Sequence, residues 1–333
     1  MVFIDGDYEA VRTSDQMTSP KEEPRPPWFV GRPGAVLLYR VNRRPMPRPT
    51  LGGDRQPDSF MDHLIEVLHF GEHVVTGRRD MPRDWILGNR RILSDESGLA
   101  GQIGWQRDDH RQASRYIAET QEWRDEDEPA ERSAHSPFVI DGSSRILGVL
   151  KHPTFTEATV SRVFERLLRD GENERNWPST EWSVEAILDE RNFLEWLRSV
   201  ESVTSIKLVA QLPNPDGLEA FGPVWAEMQS REAGLLSTRM VAANEEVGLV
   251  GLEEDDRVRG NLVMGTQGFG HVEATGQRRG HKTFYDQREK VAREWITDIG
   301  PTWQAAEDNM LSRIRQIAAN IIRRGNGRAE RST

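Results

Sequence analysis

No cysteine occurs in this chain of 333 residues. That absence excludes disulfides, thiol nucleophiles and every cysteine-based metal site, and it points to a cytoplasmic protein. No apolar run approaches the length of a bilayer span, so direct membrane insertion is not expected. Met1-Val2-Phe3-Ile4-Asp5 turns acidic at once and lacks the order of a secretory signal. A phosphate-cradling Gly-Lys-Ser/Thr loop, a His-Glu-x-x-His pair and a Gly-x-Ser-x-Gly elbow are all missing. What is present is charge, at 29% of residues, together with ten Trp and eleven Phe to anchor a sizeable core. The length favours two domains.

The net charge of −10 is unevenly spread. From Arg257 onward there are 14 Lys and Arg against 8 Asp and Glu, so that stretch carries +6 and residues 1–256 carry −16. Much of the acid lies between Glu119 and Glu131, and the segment from about Trp123 to His135 reads as an exposed acidic loop. A chain polarised in this way can present a local basic face to a polyanion despite its overall sign.

Catalytic constellations are weak. Gly265-Thr266-Gln267-Gly268-Phe269-Gly270 has the letters of a dinucleotide loop, but a β pattern rather than a helix follows it, so these glycines are expected at a strand bend. His69 and His73 are interrupted by Gly71, and His63 and His69 are expected to line a helix face rather than bind zinc. Glu253-Glu254-Asp255-Asp256 is expected to be a solvated turn, because consecutive carboxylates diverge on any regular backbone. Asp108-Asp109-His110 lacks a supporting histidine pair, and Ser205-Ile206-Lys207 has serine where a restriction-type nuclease needs an acid. No catalytic residue, metal or cofactor is expected, and an enzyme is disfavoured. A metal nuclease built on scattered carboxylates such as Asp141 and Glu157 is the least favoured alternative.

Along the chain, residues 1–27 read as a disordered proline-rich arm. Residues 28–135 read as a β-rich α+β domain, with a buried strand over Ala35–Val41, a helix over Phe60–Phe70 and shorter strands at Trp85–Leu87, Arg91–Leu93, Leu99–Gln106 and Ser114–Ile117. Residues 136–325 form the second, mixed α+β domain. It opens with a hairpin turning at Asp141-Gly142 and a helix announced by Thr154-Phe155-Thr156-Glu157 as a capping box, with Gly171 as its stop. A strand Trp182–Leu188, a helix around Phe193–Val200 and an alternating strand Val203–Leu212, ended by Pro213 and Pro215, follow. Leu218–Asn244 reads as broken helix, Asn261–Met264, Phe269–Ala274 and His281–Tyr285 as a meander, and Glu289–Ile296 as the start of a helix. The last helix spans about Thr302–Arg324, with an apolar stripe wide enough to need the core or a second chain, and residues 326–333 read as a disordered tail. The fold class is therefore α+β, with mixed or antiparallel sheets, flanking helices and a long C-terminal helix.

Two basic constellations stand out. Arg278, Arg279 and Lys282 fall at a hairpin tip, followed by Arg288 and Lys290, with Phe284 and Tyr285 interleaved. A β-ribbon of this kind suits phosphates or a groove. Arg43, Arg44 and Arg48, in an arginine-rich segment from Arg40 to Arg55, form the second cationic element.

Ser136-Pro137-Phe138-Val139-Ile140-Asp141-Gly142, Ile146-Leu147-Gly148-Val149, Pro153-Thr154-Phe155-Thr156 and Thr204–Pro213 follow one another in an order similar to the middle of the RexA family of phage-exclusion sensors. The resemblance covers about residues 136–215 and is one of pattern. It implies a cytoplasmic, homodimeric protein that binds the DNA phosphate backbone without reading sequence, in abortive infection, and acts with a separate membrane effector. Lys207, on the matched strand, is the one residue it offers as a DNA contact. The leading expectation is thus a non-enzymatic, sequence-non-specific DNA-binding sensor or effector in anti-phage defence. The alternative is a protein-binding scaffold subunit of a phage or defence complex.

Overall fold

The computed structural model describes residues 27–45, 56–71, 73–78, 81–93, 97–117, 122–175, 177, 180–188, 190–211, 222–289 and 291–329. Within them, twelve strands and six α-helices build an α+β fold of two antiparallel sheets. None of those helices is long and apolar enough to cross a membrane.

The first sheet has eight strands and grows from β1 (Gly34–Pro45). The apolar run of β1 is continuous because both faces are covered. Leu37, Tyr39 and Val41 join one core with α1 (Phe60–Phe70) and α2 (Glu157–Arg175), while Val36 and Leu38 join another under α6 (Trp303–Ala329). One edge of β1 pairs with β6 (Ile146–Leu150); the other is shared by β7 (Thr180–Ala186) and β12 (Arg293–Ile296). Beyond β6 the order is β5 (Glu122–Asp141), β4 (Gly98–Ile117), β3 (Met81–Ile92) and β2 (His73–Arg78). The apolar stripe of α6 packs inside this chain over its described side chains: Met310 and Ile314 are buried on the sheet, and Gly148 leaves room for Ile314.

The second sheet has the order β11 (His281–Asp286), β10 (Gly270–Arg278), β8 (Ser202–Gln211), β9 (Leu235–Val241). Helices α3 (Glu190–Ser199), α4 (Gly222–Ser230) and α5 (Asp256–Thr266) cover one of its faces, burying Ile206, Leu208, Val272, Ala274 and Tyr285.

Several expectations from the sequence are corrected. The acidic segment around Trp123–His135 is not a loop but most of β5, held by an unbroken ladder from Gly98↔Asp141 to Ile117↔Glu122. Backbone pairing needs no apolar alternation, so a polar hairpin arm leaves no periodic signal. The boundary expected at 135/136 falls inside that strand. Asn261–Met264 is helical: Asp255 accepts from the backbone N–H groups of Arg257 and Val258 and starts α5. Within Leu218–Asn244 the described residues are helical over α4 alone, and β9 follows. Glu289–Ile296 holds the end of a short 3₁₀ turn and the edge strand β12 instead of a helix. The short strands at 85–87 and 91–93 are one strand, and those at 99–106 and 114–117 are another. Backbone helix continues to Ala329, four residues into the expected tail. Pro213 and Pro215 lie outside the described residues, as do residues 330–333.

Helix α2 starts at Thr156, whose hydroxyl accepts from the Thr159 N–H, so Thr154 is not the cap; Glu157 instead pairs with Lys151 and Arg293. Nor does Gly171 stop α2. It is where α1 crosses: a Cβ there would lie 2.0 Å from the Val67 carbonyl oxygen, and one on Gly71 would lie 2.3 Å from that of Leu167. The two glycines let the helices touch backbone to backbone.

The sheets meet at Arg40, buried in β1. Its Nε donates to the Gln267 carbonyl at 2.8 Å, its Nη1 to that of Ser144, and its guanidinium lies over the Phe269 ring. Gly268, at φ +77, sits so close that a Cβ would fall 2.4 Å from that of Arg40. The Gly265–Gly270 segment is thus the link from α5 into β10, pinned to β1. The Leu188 N–H bonds to the Gly265 carbonyl and Leu188 bridges to Val291, closing the same seam.

Two substitutions test this packing. Gly171→Ala is expected to lower stability by about 1–3 kcal/mol through helix separation, read from the denaturant midpoint. Arg40→Ala strands two carbonyls at the seam and is expected to cost about 2–3 kcal/mol on the same measurement.

Candidate nucleic-acid interface

The face of the second sheet opposite its helices is open. Its rows follow from the register. Phe284 on β11 stands beside Thr275 on β10, then Ser205 on β8, then Val241 on β9. The next row is Asp286, Glu273, Lys207 and Arg239. Phe284 is 70% exposed and Val241 63%, so large apolar groups face water at both edges of a floor of small hydroxyls. Lys282 lies on the same face, its Nζ 5.1 Å from the Phe284 ring centroid.

At the tip, Arg279 and Gly280 both take positive φ, 52° and 73°, as the tight turn between β10 and β11 requires. The backbone N–H of Arg279 donates to Glu201, which fixes the turn while its side chain stays exposed. Arg278 and Lys282 are also exposed, and none of these three cations forms an ion pair among the described residues.

The other expected contacts are placed differently. Lys207 is half-exposed and pairs with Glu273 at 3.3 Å. Arg288 is held between Asp286 at 2.7 Å and Glu273 at 2.9 Å. Burial alone would raise the Asp286 carboxyl, but the hydrogen bonds from Arg288 more than offset it and hold it below the usual range. Arg43 is interior, a correction to its expected role: its guanidinium donates to the carbonyls of Pro57, Asp58 and Ser59 and so fixes the entry to α1. Arg44 is exposed on β1, paired with Glu181 at 3.5 Å, apart from the hairpin. Lys290 and Arg48 lie outside the described residues.

Residues 86–294 match the model of a domain of unknown function, DUF4747, a span that runs from β3 into β12 and takes in the whole second sheet. The chain belongs to the DUF4747 family. No curated protein matches it.

In this DUF4747 chain the sequence reading missed Arg239. Its signal is the alternation Leu235, Ser237, Arg239, Val241 against Leu236, Thr238, Met240, which lies inside the stretch Leu218–Asn244 that reads as broken helix. His63 lines the buried face of α1, against Trp177 and Trp182, with Nε2 2.7 Å from the Glu172 carboxylate. Among the described residues no group of three or more His, Asp and Glu could hold a metal ion. A groove of about 530 Å³ between α1 and β3 is lined by Asp62, Glu66, Arg90 and Arg91, but Arg90 is spent on the Leu68 carbonyl and Arg91 on Glu307 and Asp308.

Glu185 of β7 lies where the open face meets the seam and accepts from Gln211 Nε2 at 3.2 Å. Burial, then the nearby charge of Glu165, push its carboxyl up to about 7, against the pull of Arg288. A raised carboxyl gives stability that is present at low pH and lost as pH rises through about 7. The histidines His135, His152 and His271, lowered chiefly by burial, work in the opposite direction below their ordinary value. The Glu185 contribution is therefore read as a difference. Glu185→Gln is expected to melt above the parent at pH 8 and level with it at pH 5, by circular dichroism; an equal difference at both pH values would contradict the assignment.

Proposed function

We propose that this protein binds DNA through its phosphate backbone, without reading sequence, using the β10–β11 hairpin and the adjoining sheet face. The observation that supports this reading is the cluster of Arg278, Arg279 and Lys282, exposed and without ion pairs among the described residues, on a chain whose net charge is −10. Cations kept unpaired in so acidic a chain are suited to a polyanion. Lys207 and Arg239 extend the positive strip across the sheet. Their placement on a regular ladder gives spacing to phosphates but no fork of donors aimed at base edges, which favours backbone contact over sequence readout.

The scaffold alternative rests on the −16 balance of residues 1–256 and on the apolar stripe of the terminal helix, and α6 lays its buried residues on its own sheet. The setting of phage exclusion, with a homodimer and a separate membrane effector, rests on the pattern resemblance over residues 136–215. Plaque counts on a host expressing the chain test that setting independently of binding.

Binding is expected to weaken steeply with salt, with a slope of about −0.9 per phosphate contacted, and to change little between duplexes of unrelated sequence. Fluorescence anisotropy over a salt series measures both. The combined variant Arg278→Glu, Arg279→Asn and Lys282→Glu keeps a residue that tolerates positive φ at the turn and should weaken binding by at least about tenfold at low salt. No complex with the parent chain at low salt would overturn the proposal.

A further inference from the structure

We infer that the open face of the second sheet is a stacking platform for single-stranded nucleic acid, with Phe284 as the ring on which a base is laid. This rests on the phosphate-binding reading above and deepens it by naming the strand state of the ligand.

Phe284 is 70% exposed although it lies on a strand whose alternate residue, Tyr285, is buried in the core. Its neighbours across the sheet, Thr275 and Ser205, are small, and Val241 rises again at the far edge. The row spans three strand spacings, about 14 Å, a shallow trough wide enough for a base and its sugar. Cations stand around it: Lys282 one step along β11, with Lys207 and Arg239 in the adjacent row. Counting Arg288, the face holds four cations against the carboxylates Glu273 and Asp286 in its rows and Glu185 at its margin, so its sign complements phosphate.

An aromatic ring on an open sheet with flanking cations is the arrangement that unpaired bases use: the ring takes the base face and the cations take the backbone. In a duplex the base faces are already spent on each other, so Phe284 would gain nothing there. The ring therefore separates single strands from duplexes, while the cations serve both.

The test uses the full chain with a labelled oligothymidylate, the matching oligouridylate and a random-sequence duplex of the same length. At least one single strand is expected to bind about tenfold more tightly than the duplex. Phe284→Ala should remove most of that preference, about tenfold, and leave duplex binding unchanged, whereas Phe284→Trp should keep it. Phe284 is exposed on the edge strand β11, so these variants leave the core intact; matched melting curves verify this. Lys282→Glu with Arg239→Glu should weaken all the probes the chain binds. Equal affinity for both single strands and the duplex, or a Phe284→Ala variant that binds like the parent, overturns the platform and leaves phosphate binding standing. Absence of binding to every probe overturns the reading beneath it as well.

Discussion

Two sheets with separate cores meet at a buried guanidinium. Arg40 is buried in β1, at the position where that strand passes from β6 to the seam, and its partners are carbonyls, so its charge is solvated without being neutralised. Burial, with Arg145 nearby, lowers its pKa to about 10, which still leaves it charged at neutral pH. Its hold on the Gln267 carbonyl fixes where α5 ends and where β10 begins. The Asn42 side chain, two residues along β1, takes the Gly268 carbonyl and repeats the attachment. The orientation of the second sheet, and hence the direction of its open face, follows from these bonds between β1 and a single loop.

The elements legible in the sequence are those whose burial leaves a pattern. α1, α2, β8 and α6 bury residues at the period of their own geometry, while β1, covered on both faces, shows as a continuous apolar run. The misread elements break that link in different ways. β5 is held by its ladder to β4 and is polar over most of its length. β9 carries apolar residues on both faces, since Leu235 and Val241 are exposed opposite Leu236 and Met240, so its alternation is blurred. α5 contains Gly260 and Gly265, which depress helix propensity, and its capping Asp255 is hidden in a run of four carboxylates. Gly171 was read by propensity as a stop, when what it supplies is absence of bulk where two helices cross.

The site divides along the same line. The hairpin was legible because its signal is local, a turn flanked by alternating residues and cations. The arginine-rich segment misled because a sequence counts charges without locating them. Arg43 looks like any surface arginine, yet three carbonyls leading into α1 occupy its guanidinium. Phe284 carried an ambiguity that only the register resolves: it and Tyr285 are adjacent, one must face the core, and pairing Ala274 with Tyr285 and Thr275 with Phe284 decides which.

The cations of this protein fall into two energetic classes, and the difference bears on what a ligand can recruit. Arg40 and Arg43 are interior and hydrogen-bonded to backbone carbonyls, so drawing them outward would cost those bonds. Lys207 and Arg288 are paired too, but in water, where an exposed ion pair contributes about 0–1 kcal/mol. A phosphate can replace Glu273 as their partner at little cost to the fold. Arg239, Lys282 and the turn arginines need not give up even that. The open face can therefore exchange its ionic partners while the seam beneath it keeps its own, and under the proposed reading that separation would let the sheet take up and release a polyanion without loss of the fold.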